Sequence, residues 1–167
     1  MTVLLTACVP PLPEGYPEPP GEAGKKTLEG IDSDDDGVRD DIKIEIFYAY
    51  PDDSVARAAL EQEAKGFHLA LLAGAIQDEN TREKAALEAT YEIDKSITCV
   101  FDSVYTEGEE EARYKLLRFM EREFINTSER SNAYVHYNQA LSGKTFSSIK
   151  VIHPCEFNTQ TGELLRD

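Results

Sequence analysis

The sequence predicts a mainly α-helical protein, a bundle of four to five helices. A proline-rich tether and an aspartate-rich loop precede the bundle, and a short extended tail follows it. Three observations carry this expectation. Between residues 42 and 143, apolar residues recur at three- and four-residue spacing in several runs, the period of a helix face. Residues that cap or break helices separate the runs: Pro51 to Asp53, Asp78 to Asn80, Gly108, and Asn126 to Ser128. Outside that span the composition changes. Six of the eight prolines stand between Pro10 and Pro20, and β-favouring residues gather after Lys144.

The chain has 167 residues, the size of one domain with a tail, and a formal net charge of -15. That charge repels nucleic-acid phosphates and anionic lipid headgroups, so nucleic acid is not an expected partner. No run of residues approaches the roughly 18 consecutive apolar positions of a transmembrane helix.

The first residues read as an address. Leu5-Thr6-Ala7-Cys8 resembles a bacterial lipobox, in which a peptidase cuts before the cysteine and its sulfur is diacylated. The resemblance makes residues 1–7 the remnant of a signal peptide and Cys8 the lipidation site. It implies a cell-envelope lipoprotein facing the periplasm, touching the membrane through its lipid anchor alone. Val9 is not an aspartate, which by resemblance to sorted lipoproteins favours the outer membrane over the inner. Residues 8–29 then form a Pro/Gly-rich tether, expected to behave as an extended spacer. Cys99 and Cys155 are the other two cysteines. With Cys8 lipidated in an oxidising compartment, they are expected to pair.

Residues 30–41 read GIDSDDDGVRDD, with aspartates at six of twelve positions. Counted from Asp32, side-chain oxygens stand at positions 1 (Asp32), 3 (Asp34), 5 (Asp36) and 9 (Asp40). Gly37 falls at position 6 and the Val38 carbonyl at position 7. This is the ligand spacing of an EF-hand calcium loop, in which alternate residues of a tight turn aim hard oxygens at one cation. Position 12, the place of the bidentate glutamate, holds Lys43. Asp41, Glu45 or water would have to substitute. The loop resembles those of thrombospondin type 3 repeats and dockerins. It is also similar to a G-[IV]-D-S-D-x-D-G-V-R-D-D segment found after the tether in uncharacterised bacterial lipoproteins. The resemblance implies a structural Ca2+ bound by Asp32, Asp34, Asp36, Val38 and Asp40.

A helical domain is expected over residues 42–143. A short first helix, with Asp40 or Asp41 as its cap, ends at Tyr50 before Pro51. Asp53 caps a second helix with the stripe Ala56, Leu60, Ala64, Phe67, Leu71 and Ala75. Gly66 and Gly74 inside it point to a kink or a close crossing. Asn80 and Glu83 cap a third, striped by Ala86, Ala89, Ile93, Ile97, Val100 and Val104. Thr106 and Glu109 form a capping box for a fourth, with Ala112, Leu116, Met120 and Phe124 inward. A fifth runs from Glu129 to Leu141 on Ala133, Tyr137, Ala140 and Leu141, and Gly143 stops it. Residues 144–167 form the extended tail, which Cys155 ties to the third helix.

No reaction is legible. "NQALSGKT" (138–145) ends like a phosphate-binding loop but has Asn138 where the first glycine belongs, and a helix before it instead of a strand. Glu-x-x-His, His-Glu-x-x-His and Gly-x-Ser-x-Gly are absent. Glu61 and His68 share a helix face and offer a weak zinc pair. The expected function is therefore a calcium-stabilised envelope lipoprotein, a noncatalytic binding or structural module with an envelope partner. The alternative is a periplasmic enzyme with a carboxylate-lined groove.

Overall fold

The structure, a computed structural model, describes residues 11–104, 108–145 and 151–165, with side chains throughout except at positions 102, 103, 113, 116, 117, 120 and 121. It is a helical bundle: α1 (Asp40–Ala49), α2 (Ser54–Ala75), α3 (Glu79–Cys99), α4 (Glu110–Phe124) and α5 (Ser128–Ala140). A 3₁₀ turn (Gly21–Lys25) precedes them, and a π-helical turn (Val100–Val104) extends α3. Among the described residues, β-structure is confined to one isolated bridge, Phe157 to Leu164 in the tail. None of the described helices is long and apolar enough to cross a membrane.

α2 is the axis, packing chiefly on α3 and α5. Asp53 caps it as the sequence predicts, accepting from the Ala56 amide at 2.8 Å. Five of its six predicted stripe residues are buried, whereas Ala75, in the last turn, is exposed. The two glycines mark crossings. A Cβ on Gly66 would lie 2.9 Å from Ile93 of α3, and one on Gly74 would lie 1.8 Å from the Ala133 carbonyl oxygen of α5. No side chain fits at position 74, so the contact is backbone on backbone.

α3 starts earlier than expected. Asp78, not Asn80, is the cap, accepting from the Thr81 amide at 2.9 Å and the Thr81 hydroxyl at 2.6 Å. Ser96, Cys99 and Val100 are its buried residues near the C-terminal end, while Ile93 and Ile97 are half-buried. α4 begins after Glu109 with no side-chain cap bond. Thr106, the other half of the expected capping box, lies outside the described residues. Ala112 of α4 is exposed and Phe124 is fully buried. Thr127 caps α5 by accepting from the Arg130 amide at 3.1 Å.

Residues 11–29 depart from the extended spacer of the sequence reading. The Tyr16 ring packs on Phe47 at 5.0 Å, and Leu28 belongs to the main core with Val38, Ile42, Leu60 and Phe124. The cause is Arg130, fully buried on α5. It donates to the carbonyls of Gly24 at 2.6 Å, Thr27 at 3.1 Å and Leu28 at 3.1 Å. A chain poor in apolar residues is thus held by its own backbone acceptors, the groups that composition does not count. At the other end, Cys99 and Cys155 are joined by a disulfide, with Cα atoms 5.0 Å apart. Gln62 of α2 reinforces it, donating to the Pro154 carbonyl at 2.7 Å and accepting from the Glu156 amide at 3.0 Å.

Candidate functional site

The aspartate loop sits at the N-terminus of α1, and its exit is anchored. Val38, Ile42 and Ile46 are 0–1% exposed, each contributing about 1.5–3 kcal/mol of burial. The loop therefore cannot shift without disturbing the core. Two left-handed residues turn it, Asp35 at φ +54° and Gly37 at φ +87°. The glycine meets the second demand without strain. Asp32 closes the loop, accepting from the amides of Asp36 at 3.2 Å and Gly37 at 2.9 Å. Asp36 accepts from the Val38 amide at 2.8 Å, and Asp40 from the Ser33 amide at 2.9 Å. Neither Asp40 nor Asp41 caps α1: the cap residue is Arg39, with no side-chain cap bond.

Asp32, Asp34 and Asp40 each offer a carboxylate oxygen, and these oxygens lie within 4.8 Å of one another. Such a group can hold a metal ion. Asp36, the fourth predicted carboxylate, stands outside it and faces Lys43. The Lys43 ammonium contacts Asp34 at 2.5 Å and Asp36 at 2.6 Å. Its side chain is 14% exposed. Burial works against the charge on Lys43, but the hydrogen bonds to Asp34 and Asp36 outweigh it and raise the amine's pKa. The same bond from Lys43 leads the causes that lower the Asp34 pKa. The three donors are all carboxylate oxygens, the ligand type that calcium and magnesium take. The Lys43 amine already neutralises part of that charge at Asp34. Glu61 and His68 do not belong to any such group among the described residues.

Directly beneath the loop lies a charge cluster that the sequence reading missed. Arg39 is 1% exposed and Arg130 0%. Arg39 grips Asp41 bidentately, with Nε and Nη2 each 2.9 Å from a carboxylate oxygen, and stacks 4.9 Å over Phe124. Arg130 stands 3.9 Å from the same carboxylate. Burial would raise the Asp41 pKa, but Arg39 chiefly, with Asn126 and Arg130, holds it below the ordinary carboxylate range. The sequence carries a signal for Arg130: it precedes Ala133 by three residues on the inner stripe of α5. Arg39, in a loop, has none.

Glu63 was also missed. It lies between Leu60 and Phe67 on the stripe of α2, is 3% exposed, and its Oε2 has no hydrogen-bond partner. Burial alone pushes its pKa up to about 8.

Cys8 lies outside the described residues. In comparisons with known proteins, no family profile, curated protein or solved structure matches the chain.

Proposed function

We propose that the protein is an exported lipoprotein of the cell envelope, anchored through Cys8 and acting as a noncatalytic binding or structural module whose N-terminal loop is stabilised by calcium. The observation that carries the calcium reading is the convergence of Asp32, Asp34 and Asp40 at the start of a helix anchored in the core. A hard cation there would neutralise carboxylates that otherwise repel one another. Asp36 and the Val38 carbonyl, the other predicted ligands, would complete the shell. With no position-12 glutamate, binding should fall in the range of extracellular modules, about 10⁻⁴ to 10⁻³ M. At tenfold above that dissociation constant the ion would add about 1.4 kcal/mol. A binding role is supported by Leu69, Leu87 and Tyr91, each about 40% exposed and lining one shallow depression.

Calorimetric titration of the chelated protein tests the loop. Heat should appear below 5 mM calcium, with a rise in melting temperature, and Asp34→Asn should remove most of both. Absence of heat and of any shift would end the calcium reading. Detergent partitioning of the protein expressed with its natural leader tests the anchor, and Cys8→Ser should abolish it.

One observation favours the enzyme alternative. A groove of about 250 Å³ between the Pro19–Glu22 segment and α1 is lined by Asp41, Glu45 and Glu123. The Glu45 pKa is raised by burial and then by the Glu123 charge. Glu45 is exposed, however, and Asp41 is committed to Arg39. That leaves no pair of buried carboxylates there to share acid and base roles.

A further inference from the structure

We infer that the cleft between the C-terminal end of α1 and one face of α4 binds a small organic dianion, a flat aromatic body carrying two acid groups. The site lies at the far end of α1 from the aspartate loop. It goes beyond the proposed function and depends on neither calcium nor the anchor.

The cleft has a volume of about 390 Å³, within the range of small-molecule sites, roughly 300–1,000 Å³. Tyr50 and Phe119 give it aromatic walls, their ring centroids 6.3 Å apart and their planes at 87°. Lys115, Arg118 and Arg122 line it from α4, and Glu111 is the one carboxylate among the described lining residues. The three cations stand at i, i+3 and i+7, along about 10 Å of one helix face.

Like charges three and four residues apart repel one another and destabilise a helix. A chain with 32 acids and 17 bases has carboxylates enough to relieve this, and here they do not. The ion pairs of the described residues include Arg122 with Glu123 at 2.6 Å but none to Lys115 or Arg118. Arg118 donates at 3.4 Å to the Tyr114 carbonyl of its own helix. Nor are the cations spent on the negative end of α1. Arg57 takes that role, donating to the Tyr50 and Pro51 carbonyls at 2.7 Å each. The charge facing the cleft is left for a group from outside.

The lining selects the ligand. Guanidinium groups grip oxyacids bidentately, so Arg118 and Arg122 fit carboxylate or phosphate. The rings fit a flat apolar body, and the Arg122 guanidinium already lies 5.7 Å over the Phe119 ring. The net charge of -15 decides the size. An acidic protein or an anionic membrane would meet the whole repelling surface. A compact dianion inside the cleft senses chiefly the charges within a Debye length, about 10 Å at 0.1 M salt.

The test titrates naphthalene-2,6-dicarboxylate into the whole chain, followed by its fluorescence and by calorimetry. One molecule should bind, more weakly as salt rises. The double variant Lys115→Gln/Arg118→Gln should weaken it about tenfold, the worth of one hydrogen bond to a charged group at the low end of its range. Both side chains are exposed, so an unchanged melting temperature should accompany the loss. Glu111→Gln should tighten binding several-fold by removing the opposing charge. Naphthalene, which lacks the acids, and inorganic phosphate, which lacks the ring, should each bind at least tenfold more weakly than the dicarboxylate. Equal affinity of wild type and the double variant would put the dianion elsewhere and overturn the site. A glutamate-rich peptide, or vesicles rich in phosphatidylglycerol, binding more tightly than the dicarboxylate would overturn the small-ligand assignment. No binding of the dicarboxylate at millimolar concentration would overturn the inference and leave the calcium and anchor readings untouched.

Discussion

The two ends of the described chain are fastened to the same bundle by opposite means. The N-terminal segment is held by one buried side chain, Arg130, whose guanidinium reaches three backbone carbonyls and the Asn126 side chain. The C-terminal tail is held by a covalent bond, Cys99 to Cys155, with Gln62 clamping the backbone on either side of Cys155. The first fastening acts in the folded state, where it satisfies buried groups that would otherwise lose their hydrogen bonds to water. The second acts largely in the unfolded state, by removing conformations before folding begins. The difference shows what a sequence reveals. Three cysteines, one of them in a stretch that resembles a lipobox, leave a pair to find each other, and that arithmetic needs no structure. An arginine is read as surface by default, and nothing in residues 11–29 announces that their carbonyls will be bound.

The largest expected effect breaks the N-terminal fastening. Arg130→Met keeps much of the volume but leaves the carbonyls of Gly24, Thr27 and Leu28 without their donor and Asp41 with one cation fewer. The loss should be about 3–5 kcal/mol, the range for removing one partner of a buried charged network. Chemical denaturation measures it. Limited proteolysis should also show cleavage within residues 11–29 appearing before cleavage of the helices. A variant that loses less than 1 kcal/mol, with that segment still protected, would mean the arginine is a passenger.

Breaking the C-terminal fastening comes next. The bridge spans a sequence separation of 56 residues, for which loop-closure entropy gives at most about 4 kcal/mol. Cys99→Ala/Cys155→Ala should lose roughly 2–4 kcal/mol. The loss should show chiefly as destabilisation of the whole chain, with the N-terminal segment as protected as in wild type until global unfolding. Intact mass with and without reductant, with a 2 Da difference expected for one bond, checks that the bridge exists before its worth is measured.

Glu63 separates both fastenings from the bundle centre. Its folded pKa, about 8, lies above the ordinary carboxylate value, so the folded state holds the proton more tightly than the unfolded chain does. Its ionisation contributes nothing below about pH 4. The penalty then grows as pH rises from there to about 8 and is complete above that. At pH 7 it amounts to about 3 kcal/mol. Glu63→Gln should therefore match wild type in its stability trend near pH 4 and flatten the decline between pH 5 and 8. Parallel stability curves for the two proteins across that range would place the titration elsewhere.

Much of the fold was legible because helix signals are local. Asp53, Gly143 and the stripes of α2 and α5 each act within a few residues, and the helices follow them. The cap of α3 was displaced by two residues because Asp78 and Asn80 are chemically equivalent candidates, and only the chain path chooses between them. The loop was legible as a ligand pattern. Its internal partner was not, because in the ligand pattern Lys43 is only a missing oxygen, whereas in the fold its amine reaches Asp34 and Asp36. Glu63 was invisible because a charged residue on a buried helix face breaks the pattern by which buried faces are found, and Arg39 because a loop has no such pattern.

The smallest effect refines the N-terminal side alone. Asn126 bridges the arginine cluster from outside, donating to Asp41 at 3.0 Å and accepting from Arg130 at 2.5 Å. Its amide is exposed, so water can take over both bonds when it is removed. Asn126→Ala should therefore lose only about 1 kcal/mol, the ordinary net worth of a replaceable hydrogen bond. Its pH signature is more informative than its size. Asp41 keeps a depressed pKa through Arg39, chiefly, and Asn126 adds to it. A depressed carboxylate contributes stability that is present above its unfolded pKa, near 4, and is lost as pH falls through the lower folded value. Without Asn126 the folded value rises toward the unfolded one, and part of that acid-sensitive stability disappears. The gap between wild type and Asn126→Ala should thus be full at pH 6 and narrow below pH 4, while the reduced and oxidised forms of the disulfide should stay separated by the same amount throughout. A gap that holds constant down to pH 2 would assign Asn126 a helix-end role with no electrostatic part.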